Sequence, residues 1–152
     1  MTAFLSDGIE TVGFVADVDM TDWQYRLVKA ASTNDNVGKF THATLGSASP
    51  APFGVLMNDP SAGQEGVVKC IGFTKAVVDD PTTGCDLLLG VFLKAASTGG
   101  LVPVSVLTGI QDFIMGRFLG PRTTTAGSYF GNVLLTGAVS TAGSGGNLPA
   151  GL

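Results

Sequence analysis

Between Pro52 and Val78 the chain reads PFGVLMNDPSAGQEGVVKCIGFTKAVV, two apolar runs joined by the polar loop NDPSAGQEG. This pattern constrains the fold more than any other feature of the sequence. Short apolar runs, each bounded by Gly, Pro, Asn, Asp or Ser, recur along the chain, and such punctuation belongs to strands and turns. No segment carries a capped helical face, and Val106–Met115 has room for one helical turn at most.

Strands are expected at Thr11–Ala16, Gln24–Ala30, Val37–Leu45, Phe53–Met57, Gly66–Val78, Asp86–Lys94, Leu101–Val106, Asp112–Leu119 and Tyr129–Val139. Within Gly66–Val78, the residues Val67, Lys69, Ile71 and Phe73 fall on one face, and Val68 and Cys70 on the other. Both faces are mostly apolar, which predicts a central strand covered on both sides. The loops carry matching turn chemistry. In Asn58-Asp59-Pro60 the proline fixes φ and bars continuation of the strand. Ala62-Gly63 then offers a residue that tolerates positive φ. Gly120-Pro121 and Ala126-Gly127 repeat those roles later. Many short strands in 152 residues predict one all-β domain, a small barrel or sandwich.

The chain also echoes itself. Lys29-Ala30-Ala31-Ser32-Thr33 recurs unchanged as Lys94-Ala95-Ala96-Ser97-Thr98, each copy after two apolar residues. Gly54–Gly72 resembles Gly116–Gly137: strand, Pro-containing loop, Ala-Gly, strand, glycine. The shared order points to a duplicated β unit, since two such units can close on each other and leave neither apolar face bare. The expected organisation is an N-terminal arm over residues 1–10 and a β domain over 11–139. That domain is built from units of about 22–78 and 86–139, and a Gly/Ser-rich flexible tail covers 140–152. Phe4, Leu5 and Ile9 near the start, and Leu148 in the tail, are candidate contacts to a partner or a sister subunit. Trp23 and Tyr25 are the candidates within the domain.

Composition narrows the partners. Only 13% of residues are charged, against about 25% in an ordinary soluble domain. Charge depletion marks interface cores, so part of the surface is expected to be covered by partners. A net charge of −4 with scattered basic residues argues against nucleic acid as a direct partner. No apolar run approaches the length of a membrane span, and MTAFLSDGIE has no signal-peptide character. Cys70 and Cys85 are expected to stay as thiols in a reducing cytoplasm, with pairing as the alternative.

Catalytic chemistry finds little support. His42 is the single histidine, and neither Cys70 nor Cys85 lies at metal-ligand spacing from it. Gly46-Ser47-Ala48-Ser49-Pro50 lacks the last glycine of a nucleophile elbow. Asp17, Asp19 and Asp22 lack the glycine and closing Glu of a calcium loop. Asp79-Asp80-Pro81 reads as a turn, and Gly143–Gly146 as linker without a phosphate-binding lysine. No enzyme, no cofactor, no metal and no small-molecule substrate are expected. Trp23, Tyr25 and Tyr129 could form a stacking surface for a sugar, the basis of an alternative reading as a receptor- or carbohydrate-binding β module, although an isolated aromatic pair on a strand is more often core or interface.

Four segments carry a resemblance to a known family. They are Gln24–Lys29 (QYRLVK), Pro52–Leu56 (PFGVL), Ala62–Val68 (AGQEGVV) and Ile71–Lys75 (IGFTK). Together they resemble the small capsid decoration, or cement, proteins of tailed bacteriophages, and the likeness covers most of Gln24–Gly137. The family's glycine-aspartate step reads Gly84-Cys85-Asp86 here. The resemblance implies a β-tulip-like fold and a non-enzymatic structural protein of the virion. It implies a homotrimer bound to the major capsid protein on the outer surface of an expanded shell, made in the host cytoplasm. The expected role is to hold the shell against the pressure of packaged DNA.

Overall fold

The computed structural model describes residues 10–32, 38–43, 51–79, 87–104, 112–125 and 128–141. These form ten strands and no helix: β1 Glu10–Ala16, β2 Leu27–Ala30, β3 Lys39–His42, β4 Pro52–Leu56, β5 Glu65–Lys69, β6 Gly72–Val77, β7 Phe92–Ala95, β8 Leu101–Pro103, β9 Asp112–Thr125 and β10 Ser128–Thr141. The all-β expectation holds. The first five strands close a barrel in the order β1-β3-β2-β4-β5, and the last five form a sheet in the order β6-β10-β9-β7-β8.

The two orders are the same order. Replacing each strand by the one five later gives β6-β8-β7-β9-β10, which is the second sheet's order read the other way round from β6. Registers correspond residue by residue. Leu27 faces Val55, Val28 faces Gly54, and a bulge follows before Lys29 meets Pro52. In the second half Phe92 faces Arg117, Leu93 faces Gly116, and a bulge follows before Lys94 meets Ile114. The repeated Lys-Ala pair thus opens from equivalent bulged strands, β2 and β7, and the echoed strand–loop–strand segments are β4-β5 and β9-β10. Closure differs between the halves. β1 pairs β3 in parallel at two positions, whereas the second sheet meets its other edge through the parallel bridge Val78–Leu101.

Burial explains why both halves are needed. Val28, Phe40, Leu56 and Val68 fill the first barrel. Leu27 and Val55 point the other way and join Leu93, Met115, Val133 and Leu135 in a second core between the halves. β2 and β4 are therefore apolar on both faces because both are covered.

Several strand expectations are corrected. Gly66–Val78 is not one central strand. It breaks at Cys70-Ile71, with β5 in the barrel and β6 in the second sheet. Ile71 is 44% and Phe73 62% exposed, at the start of β6, whereas Val77 further along the same side is buried. The pairing puts β1 with the first five strands and β6 with the last five, so the two sheets part at Cys70-Ile71. Gln24–Ala30 is a strand only from Leu27, and the described part of Asp86–Lys94 only from Phe92, each preceded by a turn. β9 and β10 run longer than expected because each continues to pair with the other, to Thr125 and from Ser128 to Thr141. The β domain thus reaches past residue 139 into the span expected to be tail.

Candidate functional site

Trp23 and Tyr25 lie in the turn ahead of β2, which the first half presses against the second. Trp23 N bonds Met20 O at 2.9 Å and Arg26 N bonds Trp23 O at 3.1 Å, so the segment coils before the strand begins. Tyr25 has a φ of 64°, and its equivalent in the second half, Gly90, has 86°. The repeated turn needs left-handed backbone at this position, where glycine is unstrained and tyrosine carries a penalty.

Contacts of the side chain offset that penalty. The Tyr25 ring meets Phe130 of β10 edge-on, with centroids 5.8 Å apart. Lys75 of β6 lies over both rings, its Nζ 4.8 Å from the Tyr25 centroid and 4.4 Å from that of Phe130. Trp23 stacks on His42 at 4.1 Å, and its Nε1 donates to Leu27 O at 2.8 Å. The Arg26 guanidinium sits 5.4 Å from the Trp23 centroid and donates to Thr98 O at 3.1 Å. The indole edge lies flat on Gly99, where a methyl group would overlap it. Both aromatics are thus engaged by protein groups at the joint between the halves. They do not form an open stacking platform.

Burial pushes the His42 imidazole below its ordinary value, and the nearby Asp19 carboxylate opposes this in part. A lowered value means that the folded protein disfavours the protonated ring. His42 therefore costs nothing above the ordinary value, about 6.5. Its destabilising effect develops as pH falls from there through the folded value. The melting temperature of the wild type is expected to fall more between about pH 7.5 and about pH 5 than that of His42→Gln. Equal slopes in thermal melts would show that His42 titrates alike in both states.

The other sequence candidates disperse. Asp17 pairs with Lys39 at 3.8 Å, and Asp19 accepts from Thr21 N at 3.1 Å in a local turn. Asp79 accepts a hydrogen bond from the Thr98 hydroxyl. Among the described residues no three His, Cys, Asp or Glu side chains gather as a metal site, and no helix is long and apolar enough to cross a membrane. Phe4, Leu5, Ile9 and Leu148 lie outside the described residues, as do Cys85 and Gly46–Pro50.

The exposed apolar surface falls where sequence reasoning did not place it. Leu88 is 65% and Leu89 77% exposed, in the turn ahead of β7. Phe73 borders a shallow groove of about 490 Å³ with Thr74, Lys75, Leu119, Gly120 and Asn132. Within it Asn132 Nδ2 donates to Gly120 O at 2.9 Å. The run Leu87-Leu88-Leu89 reads as strand core. Alignment on the repeat would have shown instead that Leu88 stands at the position of Trp23, in a turn.

Comparison with known proteins bears on the fold. No protein-family model matches the sequence, and no curated protein sequence matches it. The fold is similar to that of the N base of head fiber gp8.5 in bacteriophage phi29, with a TM-score of 0.53 and 15% identity. The likeness covers 84% of this chain and 93% of that one. At this level of identity the two share an architecture.

Proposed function

We propose that this chain is a structural protein of a phage virion, a decoration or cement protein that binds the outer surface of the expanded capsid. The observation that carries the reading is the fold it shares, over 84% of this chain and 93% of the other, with the base of a phage head fiber. The sequence pattern of the decoration family, in β2, β4, β5 and β6, supports the same class. So does a surface of low charge with exposed Phe73, Leu88 and Leu89. The role needs no catalysis, cofactor or nucleic acid. A homotrimer on the major capsid protein, resisting the outward pressure of DNA, is the form that the resemblance implies. Many modest contacts across capsomer joints would add up through multivalency.

Co-sedimentation of the purified protein with expanded and unexpanded shells of its phage tests this. Saturable binding to expanded shells alone is the expected result, and no binding to either form would remove the decoration reading. The same structural neighbour favours a second reading, the base module of a fibre. A carbohydrate-binding version of it loses support from the engagement of Trp23 and Tyr25. Specific hits on a glycan array would restore it.

A further inference from the structure

The outer side of the second sheet carries one continuous, mostly apolar row. Phe73 of β6 is paired with Leu134 of β10, Leu134 with Arg117 of β9, and Arg117 with Phe92 of β7. Directly paired residues share a face, so four strands contribute to the row. The Arg117 guanidinium lies 4.0 Å from the Phe92 centroid, and Phe73 is exposed. Further along β6 the same side is covered: Val77 is buried, and its N donates to Tyr25 O of the first half at 2.8 Å. Among the described residues nothing comparable covers the start of β6, where Ile71 and Phe73 stay exposed. The face is also cationic. Strands β6 to β10 hold Lys75, Lys94, Arg117 and Arg122 but a single acid, Asp112 at the start of β9. An occupant complementary to this row is therefore apolar and acidic.

Residues 1–9, MTAFLSDGI, have that character: Phe4, Leu5 and Ile9 are apolar, Asp7 is acidic, and no base is among them. They also leave the fold beside the row. β1 begins at Glu10, which is paired with Lys69, close ahead of Phe73 on the continuing chain. Fully extended, residues 1–9 span about 30 Å, whereas the row crosses the gaps from β6 to β7, about 14 Å. The other end of the chain fits less well. β10 runs to Thr141, and residues 142–152 hold no acidic side chain. We propose that residues 1–9 fold back over the second sheet of their own chain and cover Phe73 and Leu134, with the Asp7 carboxylate beside Lys75. Phe4 and Leu5 thereby belong to the chain's own packing and not to a partner. The inference rests on the sheet and not on the capsid reading, for which Leu88 and Leu89 remain exposed, and its test uses the protein alone, so the two fail separately.

Thermal melts of a two-by-two cycle test it: the full chain, the chain lacking residues 2–8, and each of these with Phe73→Thr, which keeps strand propensity. In the full chain Phe73→Thr is expected to lower the melting temperature by about 5 °C. In the shortened chain it is expected to shift it by under about 2 °C, as for an ordinary surface change. Equal shifts in the two backgrounds would overturn the proposal. The difference between backgrounds is expected to stay constant over a roughly hundredfold range of protein concentration. A difference that grows with concentration would mean that the segment of another copy covers Phe73, and would overturn the assignment to its own chain. Asp7→Lys in the full chain is expected to lower the melting temperature, and to do so more at low salt than at high salt. A loss that is absent or independent of salt would overturn the placement of Asp7 beside Lys75.

Discussion

Gly116→Ala is expected to destabilise the protein by about 3 kcal/mol and to lower its melting temperature by about 6–12 °C. Gly116 lies in β9 opposite Leu135 of β10 and Leu93 of β7, in the middle of the second sheet. A methyl group there would overlap the Leu134 carbonyl oxygen. It would also stand 2.9 Å from the carbon of that carbonyl and 3.1 Å from Leu135 Cα. All three atoms are backbone, so no rotamer change relieves the clash, and the paired strands must part. The equivalent position in the first half, Gly54, meets the same obstacle. A methyl group there would lie 2.6 Å from both the Lys69 oxygen and Val68 Cγ1. Gly54→Ala should therefore lose stability by the same mechanism. Calorimetry on both variants checks the pair, and melting temperatures within about 2 °C of wild type, under 1 kcal/mol, would show that the strands do not approach so closely.

Phe40→Ala is expected to cost about 3–5 kcal/mol, the range for removing a buried aromatic ring. Phe40 is fully buried, and its ring tip lies against Gly66, leaving no space for a side chain there. The second half solves the same packing problem with its residues exchanged. Leu101 of β8 stands where Phe40 stands, and Phe118 of β9 stands where Leu56 does, its ring against Gly131. Each half holds one ring and one leucine over a glycine of its long hairpin. The double variant Phe40→Leu, Leu56→Phe would carry the second arrangement into the first barrel. Each single change should destabilise, one through a cavity and the other through overpacking. The double should recover part of the loss, with a coupling of about 1–2 kcal/mol in urea unfolding. Additive losses would show that the two cores are not interchangeable.

The sequence made some of this legible and hid the rest for identifiable reasons. Strands were readable because β4, β5, β9 and β10 are apolar runs closed by Pro and Gly. The Lys-Ala echo marked β2 and β7, since equivalent bulges kept the same residues. The break at Cys70-Ile71 was hidden because Val67–Phe73 alternates without a strong turn residue before Gly72. Only the pairing of β6 with β10 shows that the chain has changed sheets. Trp23 and Tyr25 were visible as an isolated aromatic pair, but their partners His42, Phe130 and Lys75 come from distant strands that no local pattern connects. The exposure of Leu88 and Leu89 was hidden by their type. A leucine run reads as core until the fold shows it at a turn.

The unequal closure of the two halves gives the molecule a mechanical grain. The hairpin of β9 and β10 would bear load in shear, with many bonds strained together along two 14-residue strands. The bridge between Val78 and Leu101 would bear it in peel, one contact at a time. A pull that parts β6 from β8 meets little resistance, while the same pull on the first barrel must separate β1 from β3 at two paired positions. One half thus combines a hairpin that resists shear with a closure that yields to peel, and it is the half that carries Phe73, Leu88 and Leu89 at its surface.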